Sequence, residues 1–296
     1  MIVVFGSINL DLIFPLPHLP SAGETVLGPD MRIEPGGKGA NQAVAAARDG
    51  AAVAFAGAVG TDALAADALL LLQEAGVDLS RVARAPVATG CAAICVDRDG
   101  RNQIAVASGA NLAARQAQVE DALLGASSTL LLQMETDAAE TAALIRRARA
   151  ARARVVLNLA PASDLPGDAL AAVDVLVANE EEAAWLGARL GRAATADALH
   201  AALGIAVVVT RGGEGVTAAS REGSVTLPAH PVTAVDTTAA GDCFTGVLAA
   251  TLDRGAGLAA ALARANLAAA LCCERRGSQG SLPHAGEIDS AGARSR

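Results

Sequence analysis

The chain reads as short apolar runs separated by longer stretches in which apolar positions recur every three or four residues. The runs fall at 2–5, 53–55, 130–132, 155–157, 175–177 and 207–209. Each is short and rich in β-branched residues or leucine, as a buried strand is. Between most of them lie alanine-rich segments of helical length, at 40–49, 62–75, 138–150 and 180–190. Strands that are apolar throughout, alternating with helices, predict an α/β fold: a mostly parallel sheet with helices on both faces. Ligands of such sheets sit outside the carboxyl ends of the strands.

Two segments break the rhythm. Residues 11–34 carry four prolines and two glycines between Phe14 and Pro29. Residues 89–107 predict two strands, 91–96 and 103–107, joined by Asp97-Arg98-Asp99-Gly100. An Asp-Gly turn flanked by β-prone residues signals a hairpin. Both segments read as additions to the sheet. They predict a small β lid, about 10–35 and 88–108, on a single domain spanning 1–296. From about Ala285 the residues are small and polar, so the tail is expected to fray.

Composition narrows the function. The net charge is −8 with no basic run, and aromatics are 2% with no Tyr. That disfavours a nucleic-acid or anionic-membrane partner and offers no stacking platform for bases. Phosphates must then be bound by local devices such as helix N-termini, a single cation or metal. The five cysteines, Cys91, Cys95, Cys243, Cys272 and Cys273, form no C-x-x-C pair. Their odd number and irregular spacing predict reduced thiols and a cytoplasmic protein. The chain opens into an apolar strand with no basic segment, so no signal peptide is expected. No charge-free run is long enough for a membrane span.

Candidate chemistry concentrates at predicted strand ends and helix starts. The apolar run ending at Val235 gives way to Asp236-Thr237-Thr238-Ala239-Ala240-Gly241-Asp242, and a helix follows, marked by Phe244, Val247, Leu248 and Leu252. The first turn of a helix offers unpartnered N–H groups, and the small residues 239–241 let an anion approach them. Asp242 beside them is a candidate base, and that pairing suits phosphoryl transfer to a hydroxyl. Taken alone, the stretch favours the plainer reading of a carboxylate complementing a helix dipole and small residues allowing close packing. Gly36-Gly37-Lys38-Gly39-Ala40-Asn41-Gln42 precedes another helix, and Lys38 is the only lysine of the chain. A sequence that otherwise uses arginine suggests that a compact ammonium is needed there. Asn9 and Asp11 leave the first strand on one face, Glu135 follows the run at 130–132, and Asn179 precedes the acidic start Glu180-Glu181-Glu182. Thr210-Arg211-Gly212-Gly213-Glu214-Gly215 follows another strand and reads as a nucleotide-facing loop or a hairpin turn. Arg275-Arg276-Gly277-Ser278-Gln279-Gly280-Ser281 follows a long alanine-rich helix and reads as a carbonyl-rich cation loop or a helix C-cap. No P-loop and no G-x-G-x-x-G after the first strand is present, and His18, His200, His230 and His284 are scattered.

These motifs, with Gly6-Ser7-Ile8-Asn9-Leu10-Asp11, Gly23-Glu24-Thr25-Val26 and Asn158-Leu159-Ala160-Pro161, occur in one order over nearly the whole chain. In order and spacing they resemble the ribokinase-type carbohydrate kinase family. The resemblance implies an ATP-dependent sugar kinase with Asp242 as base and the N–H groups of Ala239, Ala240 and Gly241 as anion hole. It implies that Asn9, Asp11, Gly37, Lys38, Gly39, Asn41 and Glu135 hold the sugar. Asn179, Thr210, Arg211, Gly212, Gly213, Gly215, Gly241 and Asn266 would border ATP, and Glu182 would support Mg²⁺. A K⁺ ion would lie among Asp236, Thr238, Cys272, Arg275, Gly277 and Ser281. A homodimer through the β lid is also implied. Asn266 stands where the family often has His, and Cys272-Cys273 where small or β-branched residues are usual. D-ribose is the expected sugar, with deoxyribose and fructose open, and an inactive sugar-binding sensor on the same fold is the reading from another class.

Overall fold

The computed structural model describes residues 1–294. Its strands are β1 (Ile2–Phe5), β2 (Asn9–Pro15), β3 (Arg32–Gly36), β4 (Val53–Val59), β5 (Asp78–Arg84), β6 (Gly90–Val96), β7 (Asn102–Ala107), β8 (Thr129–Leu132), β9 (Arg154–Asn158), β10 (Val175–Asn179), β11 (Ala206–Thr210), β12 (Val216–Ser220) and β13 (Gly223–Leu227). Its α-helices are α1 (Lys38–Arg48), α2 (Leu64–Glu74), α3 (Ala138–Ala150), α4 (Gly167–Leu170), α5 (Glu180–Leu190), α6 (Ala196–Leu203), α7 (Ala240–Asp253), α8 (Leu258–Cys273) and α9 (Ala285–Arg294).

Nine strands form one sheet in the order β13-β12-β11-β10-β9-β8-β1-β4-β5. All its pairings are parallel except β11–β12 and β12–β13. Side chains of β1 alternate between two cores. Ile2 and Val4 join Phe55, Leu131 and the apolar faces of α1, α7 and α8. Val3 and Phe5 join Leu130, Leu132 and residues of α3, α5 and α6 on the other side. The expected three-layer α/β arrangement is what forms, because strands buried on both faces must be apolar throughout. From β1 the chain proceeds outward to β4 and β5, then crosses back to β8 and onward to β11. The two directions diverge between β1 and β8, and the crevice at such a divergence opens at the carboxyl ends of the strands.

The segments that broke the pattern form a second sheet in the order β3-β2-β6-β7. The predicted hairpin is present, with Cys91 opposite Ala107 and Val96 opposite Asn102. Asp97 holds its turn by accepting the Asp99 and Arg101 N–H groups, each at 3.0 Å. β2 pairs with β3 antiparallel and with β6 parallel, which places Asn9 beside Gly36 and Gly90.

The tail differs from expectation. It forms α9 up to Arg294, and only its last two residues lie outside the described part. Ile288 and Ala291, three apart, bury on one side, and ion pairs Arg264–Asp289 and Arg275–Glu287 tie the helix down. Two apolar residues among small ones are a weak periodic signal, and docking on α8 supplies the rest.

Candidate active site

The site is built where the first and eighth strands end. Leaving β1, Ser7 donates through Oγ to Glu135 Oε2 at 2.5 Å. The same carboxylate oxygen accepts the Lys38 N–H at 3.0 Å. Gly39 donates to Ser7 Oγ at 3.1 Å, and Ala40 to the Ser7 carbonyl at 2.9 Å. Ser7 and Glu135 therefore consume the amides at the start of α1. Gly37, at φ 89°, and Gly39 let the backbones cross: a Cβ on Gly39 would lie 2.5 Å from the Ser7 nitrogen. Glu135 is thus a cap for α1, while the N-cap of its own helix α3 is Asp137.

On β2, Asn9 and Asp11 share a face, as their spacing predicts. Asn9 Oδ1 accepts from Asn111 Nδ2 at 2.7 Å, and Asn111 Oδ1 accepts the Ile8 N–H at 2.9 Å. Asn111 escaped the sequence reading: a lone Asn in a small-residue turn gives no sign of a partner 102 residues away. Asp11 is buried and receives no hydrogen bond from any described residue. Burial first, then the charges of Glu135, Glu34 and Asp242, push its carboxyl up to about 7 against the pull of Lys38. Burial lowers the Lys38 ammonium, but Asp242, Glu135, Glu182 and Asp11 outweigh that and hold it above its ordinary value. Lys38 makes no ion pair within 4.0 Å among the described residues, so its ammonium is charge-balanced but not pinned.

Across the crevice, Asp242 lies in the first turn of α7 and is 8% exposed. Its Oδ2 accepts from Asn41 Nδ2 and its Oδ1 from Gln42 Nε2, both at 2.9 Å. Asn41 lies inside α1, and its Oδ1 is buried without a partner among the described residues. The turn into α7 is tight because Ala239 adopts a left-handed conformation, φ 59°, which a non-glycine residue enters at a cost. The Ala240 N–H closes this turn onto the Thr237 carbonyl at 3.2 Å, and Cys243 bonds back to Ala239 at 2.7 Å. The N–H groups of Ala239, Gly241 and Asp242 find no acceptor among the described residues. The three free amides therefore differ by one from the expected set 239–241, because closing the turn uses that of Ala240.

Asn179 and Thr210 end neighbouring parallel strands in register. Asn179 and Glu182 form a reciprocal capping box at 2.8 Å each way. Burial, the largest influence, raises the Glu182 carboxyl despite its bond to Asn179 and the charge of Lys38. The Thr210–Gly215 segment is a hairpin turn between β11 and β12, closed by the Arg211 N–H on the Gly215 carbonyl at 2.8 Å. Arg211 keeps a buried Nε without a partner. Asn266 Nδ2 donates to the Pro228 carbonyl at 2.7 Å, so it ties α8 to the loop leaving β13.

Asp236 accepts the Thr238 N–H at 2.9 Å and the Gly277 N–H at 3.0 Å, which overcomes burial and holds its carboxyl low. Cys272 Sγ lies 3.8 Å from the Thr238 carbonyl and 3.1 Å from Ser281 Oγ. Gly277 is four residues beyond the end of α8, so it is no C-cap for it. Five of the six expected cation residues thus converge. The Arg275 side chain instead turns to Glu287 on α9, leaving only its backbone for that site. Among the described residues no three His, Cys, Asp or Glu side chains gather as a metal site.

The sequence profile described as pfkB family carbohydrate kinase matches residues 1–285. The chain belongs to the pfkB family of carbohydrate kinases. Within that family it is 35% identical over 290 residues to a ribokinase of Haemophilus influenzae, covering 95% of each chain. The crystal structure of a ribokinase from Thermotoga maritima superimposes with a TM-score of 0.90 at 31% identity, covering 98% of both chains. An Arabidopsis thaliana ribokinase, solved in complex with ribose and ATP, superimposes with a TM-score of 0.87 at 28% identity, covering 98% of this chain and 97% of its own. The pfkB family motifs quoted from the sequence also contain Gln42 and Asn158, to which the sequence alone assigned no role. Gln42, Gln133 and Asn158 form a buried amide chain leading to Asp242.

Proposed function

We propose that this carbohydrate kinase transfers the γ-phosphoryl group of ATP to the 5-hydroxyl of D-ribose, giving ribose 5-phosphate and ADP. The observation that carries the reading is one helix start that holds both a fixed carboxylate and unpartnered amides. Asp242 takes the proton of the sugar hydroxyl as its oxygen attacks phosphorus. The N–H groups at 239, 241 and 242 receive the charge spread over the transferring phosphoryl oxygens, so catalysis is positioning plus electrostatic stabilisation. Asn9, Asp11, Lys38 and Asn41 hold the sugar hydroxyls, with the Gly37–Gly39 backbone beside them. Glu135 acts on the sugar through its free oxygen while it caps α1. ATP lies along Asn179, the Thr210–Gly215 turn, Gly241 and the loop tied by Asn266.

Mg²⁺, carried on the phosphates, supplies charge neutralisation. Among the described residues no cluster of acids would ligate it directly, and Glu182 would support it through water. A monovalent cation such as K⁺ suits Asp236, the Ser281 hydroxyl and the carbonyls of Thr238, Arg275 and Gly277. That set is rich in neutral oxygens with one carboxylate, and it braces the turn that presents the free amides. The small sheet serves as lid. Ile104 and Val106 of β7, 55% and 51% exposed, lie on one face of it, and a second copy of the chain covers them. The described residues contain no helix long and apolar enough to cross a membrane, and the cysteines are free; both fit a cytoplasmic enzyme.

The test is ADP release across ribose, deoxyribose and fructose, with and without K⁺. Ribose is expected to give the highest kcat/KM, and K⁺ to raise the rate. A higher kcat/KM with deoxyribose or fructose would reassign the sugar. Sugar binding without ADP release from any of them would make the protein a sensor.

A further inference from the structure

Asp242 is held from outside its own helix by an unbroken row of buried amides. Gln42 and Gln133 are fully buried and Asn158 is 7% exposed. Gln42 Nε2 donates to Asp242 Oδ1 at 2.9 Å and to Asn158 Oδ1 at 3.0 Å. Gln42 Oε1 accepts from Gln133 Nε2 at 2.6 Å. The row joins α1, α7, the end of β9 and the residue following β8, the elements that converge on the crevice.

The row has a direction, and the carboxylate sets it. An ionised carboxylate only accepts, so the Gln42 amide must turn its NH₂ toward Asp242. Its oxygen then faces Gln133, which must turn its own NH₂ inward. The far end absorbs the mismatch: Gln133 Oε1 is buried with no partner, and Gly6 leaves room for it, since a Cβ there would come within 2.1 Å of that oxygen. A network built only to satisfy buried groups would not strand an acceptor. This one does so at Gln133, while the Gln42 amide gives its donors to Asp242 and Asn158.

We propose that Gln42 is the positioning residue of Asp242. With Asn41 on the other oxygen, it fixes the plane of the carboxylate so that a free lone pair faces the sugar hydroxyl, and Gln133 fixes the sense of Gln42. The proposal rests on Asp242 being the base. Lys38 from α1, Asp11 from β2, Glu182 from α5, the Cys243 thiol of α7 and the Cys272 thiol of α8 also act on Asp242 or feel its charge.

The experiment compares Gln42→Met, Gln42→Glu, Asp242→Asn and the Gln42→Met/Asp242→Asn double variant, with kcat, ribose KM and pH profiles. Gln42→Met is expected to lower kcat about 10²-fold, the cost of a base out of place, with ribose KM little changed. In the Asp242→Asn background it should add no further loss, as members of one unit do. Gln42→Glu sets a second carboxylate against Asp242, so the pair shares a proton. The acid limb of its kcat profile should move to higher pH, which decides the matter even if Gln42→Met fails to fold. Wild-type kcat and pH profile for the Gln42 variants, beside an inactive Asp242→Asn, would overturn this inference alone. Near-normal turnover by Asp242→Asn would remove the base, and the role of Gln42 with it.

Discussion

Two helices begin at the crevice, and their first turns have opposite fates. At α1 the Lys38 amide goes to Glu135, Gly39 to the Ser7 hydroxyl and Ala40 to the Ser7 carbonyl. At α7 only Ala240 turns back, onto Thr237, and the amides of Ala239, Gly241 and Asp242 stay free. Both turns are rich in small residues, but only the one opening α7 reads as an anion site in the sequence. The difference lies in the polar groups brought to them by the topology. β1 and β8 deliver Ser7 and Glu135 to α1, which fills its donors and leaves the Asn41 Oδ1 without a partner among the described residues. Among the described residues nothing fills the Ala239, Gly241 and Asp242 amides at α7, so its partial positive charge is left uncompensated. A helix start by itself is therefore no evidence for an anion hole; an unfilled one beside a fixed carboxylate is.

The contrast is open to direct attack. Gly39→Ala forces a methyl to 2.5 Å from the Ser7 nitrogen, so it should cost about 3 kcal/mol or more of stability, read as a fall in the denaturation midpoint. Gly241→Ala meets nothing within 4 Å and should leave Tm unchanged or slightly raised. On the proposed function its methyl stands in the path of the phosphoryl oxygens, and kcat should drop roughly 10²-fold. Equal effects of the two substitutions on stability would erase the distinction between the helix starts.

A smaller effect tests the side chains that α1 leaves free. Lys38→Met should raise the ribose Kd roughly tenfold or more, the scale of a lost charged hydrogen bond, and change the ATP Kd far less; calorimetry with each ligand separates them. Equal losses would move Lys38 to the nucleotide side.

A pH-dependent effect is expected at Asp11. Its folded carboxyl titrates near 7, above the ordinary 3.8. A group whose acid form is favoured by folding contributes stability that is fully present below its unfolded pKa and is lost as pH rises from there through the raised folded pKa. The shift from 3.8 to about 7 bounds the contribution at roughly 4 kcal/mol. Asp11→Asn should thus raise Tm at pH 8 and change it less at pH 5, while weakening ribose binding. A Tm gain independent of pH would mean that Asp11 is not held protonated.

The layers of the fold were legible because a buried parallel strand must be apolar throughout, and the six apolar runs all lie within strands of the large sheet. The polar edge strand β5 and the α9 tail were not, since neither carries a strong periodic signal and both form by docking. In the site, Asp242, Lys38, Asn9 and Asp11 could be picked out as candidates from residue type at strand ends and helix starts together with the resemblance. Partners were less readable. Gln42 lies next to Asn41 in the sequence yet meets Asp242 across 200 residues, and a buried glutamine in an alanine-rich helix looks like any other polar residue. The choice of amides at α7 depended on the left-handed Ala239, which residue type does not announce.

The central claim is that Asp242 removes the proton of the accepting hydroxyl. The most direct measurement is the rate of ADP formation with ribose by Asp242→Asn, beside its ribose affinity by calorimetry. The expected result is a loss of about 10²–10⁴-fold in kcat, the range of a missing general base, with ribose still bound at close to the original affinity. Turnover near that of the unaltered enzyme would contradict the account.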